Sequence, residues 1–576
     1  MLNALSVALH DANRDGSQRA ARSMERQGFV SASRFEWDGG ALSAWAYPTQ
    51  QGVDNFDVHT SSGDACCVGP VWYRGRFGNP ALGLLLDDIT AAGQIDEMEL
   101  RGNFALFLRS QAWCLLLNDA LGFVRVYASP DERFYSTSWL ATCAYAGQTE
   151  LDEAAAIEYV LLGASHSERT VARGITTLPL GHAFDLARKR VQARFPEGMW
   201  EEPRAPASFD AAVDETGNHL RTVFGEIAAA FPERTRAALS GGFDSRLIIA
   251  GLLACGNRPE LFVYGDSTSE DIPVARKVAG SVGIALNVVD KGDLNRGVPP
   301  DLERLVASVL FFDGLPADGI HDSGADQQTR LEQNTGGRIA LNGGGGEIFR
   351  NFFHLPDRTL YVIDIVRTFY RGFDPKVFRR PEGLDSYEDN LVASIERTLG
   401  MQNIGARQRL GRQQVELLYP LFRCHHWMGV NNSVGVRHGH YATPLVDLKT
   451  VRLAFALPLA WKNAGRLESR LITKFHPGVA GQPSTYGFRF SDGPDSRARF
   501  AELITCMRPV SARPYINAAR RRLHKLGVAP GMIVRCRALL PGEWRLDSLL
   551  DLQHLPDNAA FARALAVEVA WREMVG

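Results

Sequence analysis

Thr235-Arg236-Ala237-Ala238-Leu239-Ser240-Gly241-Gly242-Phe243-Asp244-Ser245 runs from a short strand-like segment through a glycine pair into an apolar helix, Leu247 to Ala254. The order strand, loop, helix decides how these residues read. The two glycines let the backbone turn tightly and approach a ligand. The first N–H groups of the following helix have no partner inside it and point at whatever sits at its N-terminus. Ser240 and Ser245 add hydroxyl donors. A loop of this kind seats an anion, and pyrophosphate is the first expectation. Phosphate alone would repel Asp244, so that residue implies a bound Mg²⁺. The spacing is not that of a Walker A loop, since no Lys-Ser/Thr pair closes it, and the dinucleotide fingerprint is absent. The plain alternative is a Gly-Gly turn capped by Ser and Asp.

Outward from this loop the pattern alternates. Phe209 to Phe231 has helical period, Leu261 to Tyr264 reads as a strand, Ile272 to Val282 as a helix and Ala285 to Val289 as a further strand. Alternating strands and helices predict a parallel sheet covered on both faces. Upstream, Gly28 to about Phe195 is a series of short apolar runs between turn residues, which predicts stacked strands. Residues 1–27 read as a polar leader, 28–200 as an α+β domain, 207–496 as the parallel-sheet domain and 497–576 as a helical extension. Pro196 to Pro206 is the linker between the two domains. At 576 residues the chain has room for several cores.

Composition narrows the function classes. The apolar fraction of 45% and charged fraction of 22% are those of a globular protein. A formal net charge of -2 argues against a protein built to coat nucleic acid. No apolar run approaches the roughly 20 residues that span a membrane, so no stable membrane insertion is expected. The 8 cysteines show no metal or redox spacing, which favours a reducing cytoplasm. Cys424-His425-His426 has the residue types of a metal cluster, but adjacent side chains rarely share one ion. Arg520-Arg521-Arg522 reads as a solvated helix face.

Leu239 to Arg246 resembles the pyrophosphate loop of the asparagine synthetase superfamily, the class B, glutamine-hydrolysing type with an N-type ATP pyrophosphatase domain. Further segments follow in that family's order: Asn118-Asp119 with Gly122 and Tyr127, then Phe134 to Ser136, then Thr170 to His182. Asn342-Gly343-Gly344-Gly345-Gly346-Glu347-Ile348-Phe349 resembles its second glycine- and acid-rich loop, and Thr443 to Asp447 its late helical segment. The resemblance covers about residues 28 to 495. It implies an α/β multidomain fold: an N-terminal glutaminase-like (Ntn-type) α+β sandwich, then an adenine-nucleotide α-hydrolase-like synthetase domain. It implies ATP and Mg²⁺ as cofactors and a carboxylate activated as an acyl-adenylate, which an amine then takes up. Leu239, Ser240, Gly241, Gly242, Phe243, Asp244 and Ser245 would hold pyrophosphate, with Gly345 and Gly346 beside them. Val263, Tyr264 and Gly265 would line the adenine pocket. Asp244 and Glu347 would hold the metal. Asp271, at a helix start, would either bind ligand or favour the helix dipole.

The chain also departs from that family. No cysteine stands at the N-terminus to hydrolyse glutamine, and Cys66 and Cys67 lie inside the domain. The second loop keeps one acid, Glu347. The lysine expected near Pro483 to Phe490 is absent, leaving Lys474 or Arg489 to supply positive charge and Tyr486 a hydroxyl. These departures favour a specialised amide-forming enzyme, similar to beta-lactam synthetases or to lasso-peptide cyclases that act on a precursor peptide. Asparagine synthesis, an amidotransferase of polysaccharide biosynthesis and a non-catalytic binding protein with decayed sites remain open alternatives.

Overall fold

Strand β1 (Thr235–Ala238) pairs in parallel on both sides, with β2 (Glu260–Tyr264) and with β4 (Ile339–Leu341). β3 (Leu286–Val289) extends the sheet beyond β2, and β5 (His440–Ala442) extends it beyond β4. The order is therefore β3-β2-β1-β4-β5, all parallel. Leu261, Ile339 and Leu341 are buried, as expected for short strands covered on both faces. Helix α1 (Phe243–Ala254) follows β1, and α2 (Asp271–Ser281) follows β2. α1 is apolar nearly all round: Leu247, Ile248, Ile249 and Leu252 are all buried, which marks a helix inside a core. A Cβ at Gly251 would run into the Phe224 ring, so the glycine lets helix Phe209–Ala230 press against α1.

The computed structural model describes residues 1–50, 53–201, 203–295, 301–320, 324–401, 408–523 and 527–575. Before the parallel sheet lie two six-stranded sheets with antiparallel pairing. Their facing sides share one core, with Leu5, Val7 and Leu42 from one sheet meeting Val68, Phe107 and Leu116 from the other. Helices Arg14–Arg26 and Trp139–Ala146 cover the outer side of the first sheet, and Asn79–Ala92 that of the second. The expected α/β multidomain organisation is present, with antiparallel sheets, a five-stranded parallel sheet and helices.

Two segments differ from expectation. Residues 1–27 are not a leader. Ala4–Leu9 is an inner strand, held between Gly40–Ala46 and Phe134–Ser136. Leu5 and Val7 are wholly buried, and Ala20 and Met24 anchor the helix that follows. A strand that alternates small and apolar residues, then a helix apolar on one narrow stripe, looks polar in composition although each has a buried face. The N-terminal domain thus starts before Gly28. Residues 497–576 are helical, but they are not an appendage. The last helix, Asn558–Ala570, is buried from Ala560 to Ala570. It packs on Glu153–Leu162 of the first domain and on Leu302–Phe311 of the second. Arg563 donates to Val160 O at 2.8 Å and to Ala317 O at 3.1 Å, which ties the two together. The side chains of Arg520, Arg521 and Arg522 lie outside the described residues.

Deletion of residues 1–27 is therefore expected to abolish cooperative unfolding in a urea titration followed by circular dichroism. An unchanged transition in the truncated chain would restore the leader reading.

Candidate functional site

The β3-β2-β1-β4-β5 order reverses at β1. The loops leaving β1 and β4 part there and open a crevice at the C-terminal edge of the sheet. Ser240–Gly242 leaves β1 at this point, and Asn342–Gly346 leaves β4. Gly242 is extended (φ -87°, ψ -178°), and no side chain caps the N-terminus of α1. The loop satisfies its own earlier donors. Ser240 N–H donates to Ser245 Oγ at 3.1 Å, and Gly242 N–H to Ser240 Oγ at 3.2 Å. Gly241 N–H donates to Asp271 Oδ1 at 2.7 Å, so Asp271 braces the loop from the first turn of α2. What is left open is the uncapped first turn of α1, with two hydroxyls beside it.

A second layer closes over the loop. Thr485 N–H donates to Gly241 O at 3.3 Å. Arg246 donates to Gln482 O at 3.1 Å and also to Pro483 O. Phe243 stacks on Phe490 at 4.3 Å between centroids and 17° between planes. Behind the second loop, a Cβ at Gly346 would collide with Asp244 Oδ1, so this position admits no side chain while Asp244 points as it does.

Asp244 is one of three carboxylates around one guanidinium. Arg350 Nη2 donates to both Asp244 oxygens, at 2.9 and 2.7 Å. Arg350 also lies 3.7 Å from Glu347 and 3.0 Å from Glu468 on helix α3 (Arg466–Phe475). Glu347 accepts from Gly345 N–H at 3.1 Å and from the Tyr419 hydroxyl at 2.5 Å. Glu468 is 0% exposed, and neither of its oxygens has a hydrogen-bond partner. Burial holds the Glu468 carboxyl well above the usual range; Arg350 offsets this in part, and Asp244 adds to it. Asp244 is raised as well, first by burial and then by Glu347, against the pull of Arg350. Burial works against the Arg350 charge, but Glu468, Asp244 and Glu347 keep it protonated.

Beside this cluster is a cavity of about 520 Å³. Phe243, Glu347, Arg350 and Tyr486 form its charged and aromatic side. Helix α4 (Ser496–Met507) forms much of the opposite wall. The size and the mixed lining are those of a small-molecule or peptide-side-chain pocket.

The structure brings Leu239 to Ser245, Gly345, Gly346 and Glu347 together. Val263, Tyr264 and Gly265 lie at the C-terminal end of β2, on the same sheet edge. Lys291 covers the Tyr264 ring at 4.5 Å, and Gln333 bonds its hydroxyl. Neither of the two expected cations, Lys474 and Arg489, lines the cavity. Lys474 Nζ is bound to Asp214 at 2.6 Å, on the side of α3 facing helix Phe209–Ala230. Six residues beyond Glu468, it is turned about 240° around the helix from it. Arg489 is exposed, while Phe490 beside it is buried. The cation of the site is Arg350. Its one sequence signal is its position three residues after Glu347, just past the short helical turn that carries that acid. Glu468 gave no signal, because Arg466-Leu467-Glu468-Ser469-Arg470 reads as a solvated helix.

The other polar groups singled out in sequence are structural. His425 Nδ1 bonds Leu121 O at 2.7 Å, and burial pushes the ring down to about 3, so Cys424-His425-His426 is packing. Cys66 and Cys67 are buried on strand Gly63–Val68, and burial pushes the Cys66 thiol up to about 12. Asp119 accepts from the N–H groups of Phe123 and Val124, each at 2.9 Å, and shapes its own turn. Among the described residues no helix is long and apolar enough to cross a membrane.

The chain matches no known protein-family model, and no curated protein matches it.

Glu468 keeps its proton in the folded state at a pH where the unfolded chain has lost it. Stability then falls as pH rises from the ordinary carboxylate range toward the raised value. Compared with Glu468→Gln, the wild type should lose up to about 1.4 kcal/mol per pH unit above pH ~5. Chemical denaturation of both proteins at several pH values checks this, and a difference that does not change with pH would count against it.

Proposed function

We propose that this protein uses ATP to activate a carboxylate as an acyl-adenylate and transfers the acyl group to an amine. One observation carries the reading. An uncapped helix N-terminus follows a Ser-Gly-Gly loop at the point where the parallel strand order reverses, next to a carboxylate cluster and to a cavity that Phe243, at the start of that helix, lines. That is where nucleotide phosphates bind in open parallel sheets. The four-layer N-terminal domain supports a glutaminase-like fold, and the β3-β2-β1-β4-β5 sheet an adenine-nucleotide α-hydrolase-like one.

In this reading the first-turn N–H groups of α1 and the Ser240 and Ser245 hydroxyls receive the pyrophosphate of ATP. The end of β2, Val263 to Gly265, borders the adenine. The all-oxygen donors of Asp244 and Glu347 fit a hard cation, and the Arg350 guanidinium already holds a positive charge among them. Mg²⁺ bound there would neutralise phosphate charge as it develops. The substrate carboxylate oxygen attacks the α-phosphorus, the α–β phosphate bond breaks and pyrophosphate leaves. An amine then attacks the acyl carbon, loses its proton, and AMP departs. Arg350 is a fixed charge and not a proton carrier. The cavity has room for the side chain of a peptide substrate as well as for a free amino acid. The missing N-terminal cysteine and the altered second loop favour a macrolactam-forming role without glutamine hydrolysis; asparagine synthesis and a polysaccharide amidotransferase are the alternatives.

A second reading has one observation in its favour. Arg350 occupies both oxygens of Asp244, as it would in a binding protein whose metal site has been replaced by an ion pair. Pyrophosphate–ATP exchange separates the two. With amino-acid and peptide carboxylates as drivers, the enzyme reading expects Mg²⁺-dependent exchange, reduced at least about 100-fold in Asp244→Ala. Absence of both exchange and ATP binding would leave only the binding-protein reading.

A further inference from the structure

Helix α4 forms a wall of the cavity but buries none of its residues. Apolar packing therefore does not fix it there. Its inner face carries Glu502 and Cys506, four residues apart and so neighbours on one face. Both meet His354, which lies on the segment after the second glycine-rich loop. His354 Nδ1 is 3.4 Å from Glu502 Oε1. The donor atoms of His354, Glu502 and Cys506 all lie within 4.8 Å of one another. Bonds of about 2.0–2.3 Å at tetrahedral angles require donor separations of roughly 3.3–3.8 Å, so only a small contraction is needed.

Two further observations point to a ligand. The Glu502 side chain is 10% exposed, and its second oxygen, Oε2, is buried with no hydrogen-bond partner. A buried carboxylate oxygen left unpaired is costly unless something else binds it. Asn351 Nδ2 also lies 3.5 Å from Cys506 Sγ, and Arg412 holds Asn351 Oδ1 at 2.9 Å. Outer partners of this kind orient the ligands of metal sites.

We propose that His354, Glu502 and Cys506 bind one zinc-type divalent ion, with a fourth position open to the cavity, and that this ion fastens α4 across the site. The nitrogen, oxygen and sulfur donors select a borderline-soft transition ion and not Mg²⁺. Three protein ligands with one position free is the arrangement of a zinc site that accepts water or a substrate donor. His354 and Glu502 line the cavity, so the free position faces the space assigned above to the substrate. The site shares no residue with the Asp244 cluster, and it stands whether or not the adenylation reading does.

The test uses the full chain, stripped with a chelator, then titrated with Zn²⁺ against a chromophoric competitor and separately with Co²⁺. The expected result is one tight Zn²⁺ per chain, weakened at least about 100-fold in Cys506→Ser and in Glu502→Gln. Co²⁺ should give a thiolate charge-transfer band that Cys506→Ser lacks, and Zn²⁺ should protect Cys506 from iodoacetamide. His354→Asn provides a third ligand deletion, because Asn tolerates the positive φ of 46° at this position. Circular dichroism confirms that each variant is folded. Asp244→Ala should bind Zn²⁺ as the wild type does, which separates failure of this site from failure of the adenylation reading. Equal Zn²⁺ affinity in wild type and ligand variants, or fast alkylation of Cys506 unaffected by Zn²⁺, would overturn the proposal; the latter would show a reactive thiol instead.

Discussion

Strand β1 is bound in parallel on both flanks, and the chain reaches its two neighbours by connections running in opposite directions. A parallel strand in this position cannot be followed by a tight hairpin. Its C-terminal end must open into a loop and a crossover helix. Because β2 and β4 lie on opposite sides, the loops after β1 and β4 diverge and face each other across a gap. The site is placed by that constraint. The Ser-Gly-Gly loop, the second glycine loop and the uncapped turn of α1 meet there because the sheet leaves no other space for them.

The charge arrangement in the gap is tuned for something other than stability. A buried carboxylate or guanidinium loses solvation that a partner only partly restores, and apolar residues of similar volume often do as well or better. Here three acids share one cation, Glu468 has no hydrogen bond of its own, and Gly346 admits no side chain beside Asp244. Removing one partner would strand the rest, and breaking a buried pair typically costs about 3–5 kcal/mol.

Hydrogen bonds from distant segments tie the two domains together around this gap. Asp313 of the second domain caps helix Trp139–Ala146 of the first, accepting from Trp139 N–H at 2.7 Å and from Ser138 Oγ at 2.6 Å. Arg125 donates to the carbonyls of His425 and His426, and Asn103 binds Thr443 through both backbone and side chain. Thr443 begins the turn whose Leu445 and Val446 back the second glycine loop. The N-terminal sheets therefore brace the second loop from behind, and the buried C-terminal helix locks both domains through Arg563. α4 buries none of its residues, which is why a bound ion would matter there.

The sequence by itself determined the parallel strand β1 and the Ser-Gly-Gly loop that leads from it into α1. Both are local: strand, turn and helix signals lie within about 20 residues, where periodicity and glycine placement are informative. It also placed Glu347 beside Asp244, through the second glycine loop. Only the tertiary structure decided which cation serves these acids. Arg350 and Asp244 are 106 residues apart, and Glu468 and Lys474 share one helix yet lie on different faces of it, so burial and not residue type distinguishes them. The same holds at the two ends of the chain. Ala4–Leu9 and Asn558–Ala570 look unremarkable in isolation, because what makes them core is the surface that partners distant in sequence provide. A strand or helix advertises one apolar face, but only the assembled neighbours determine whether that face is covered.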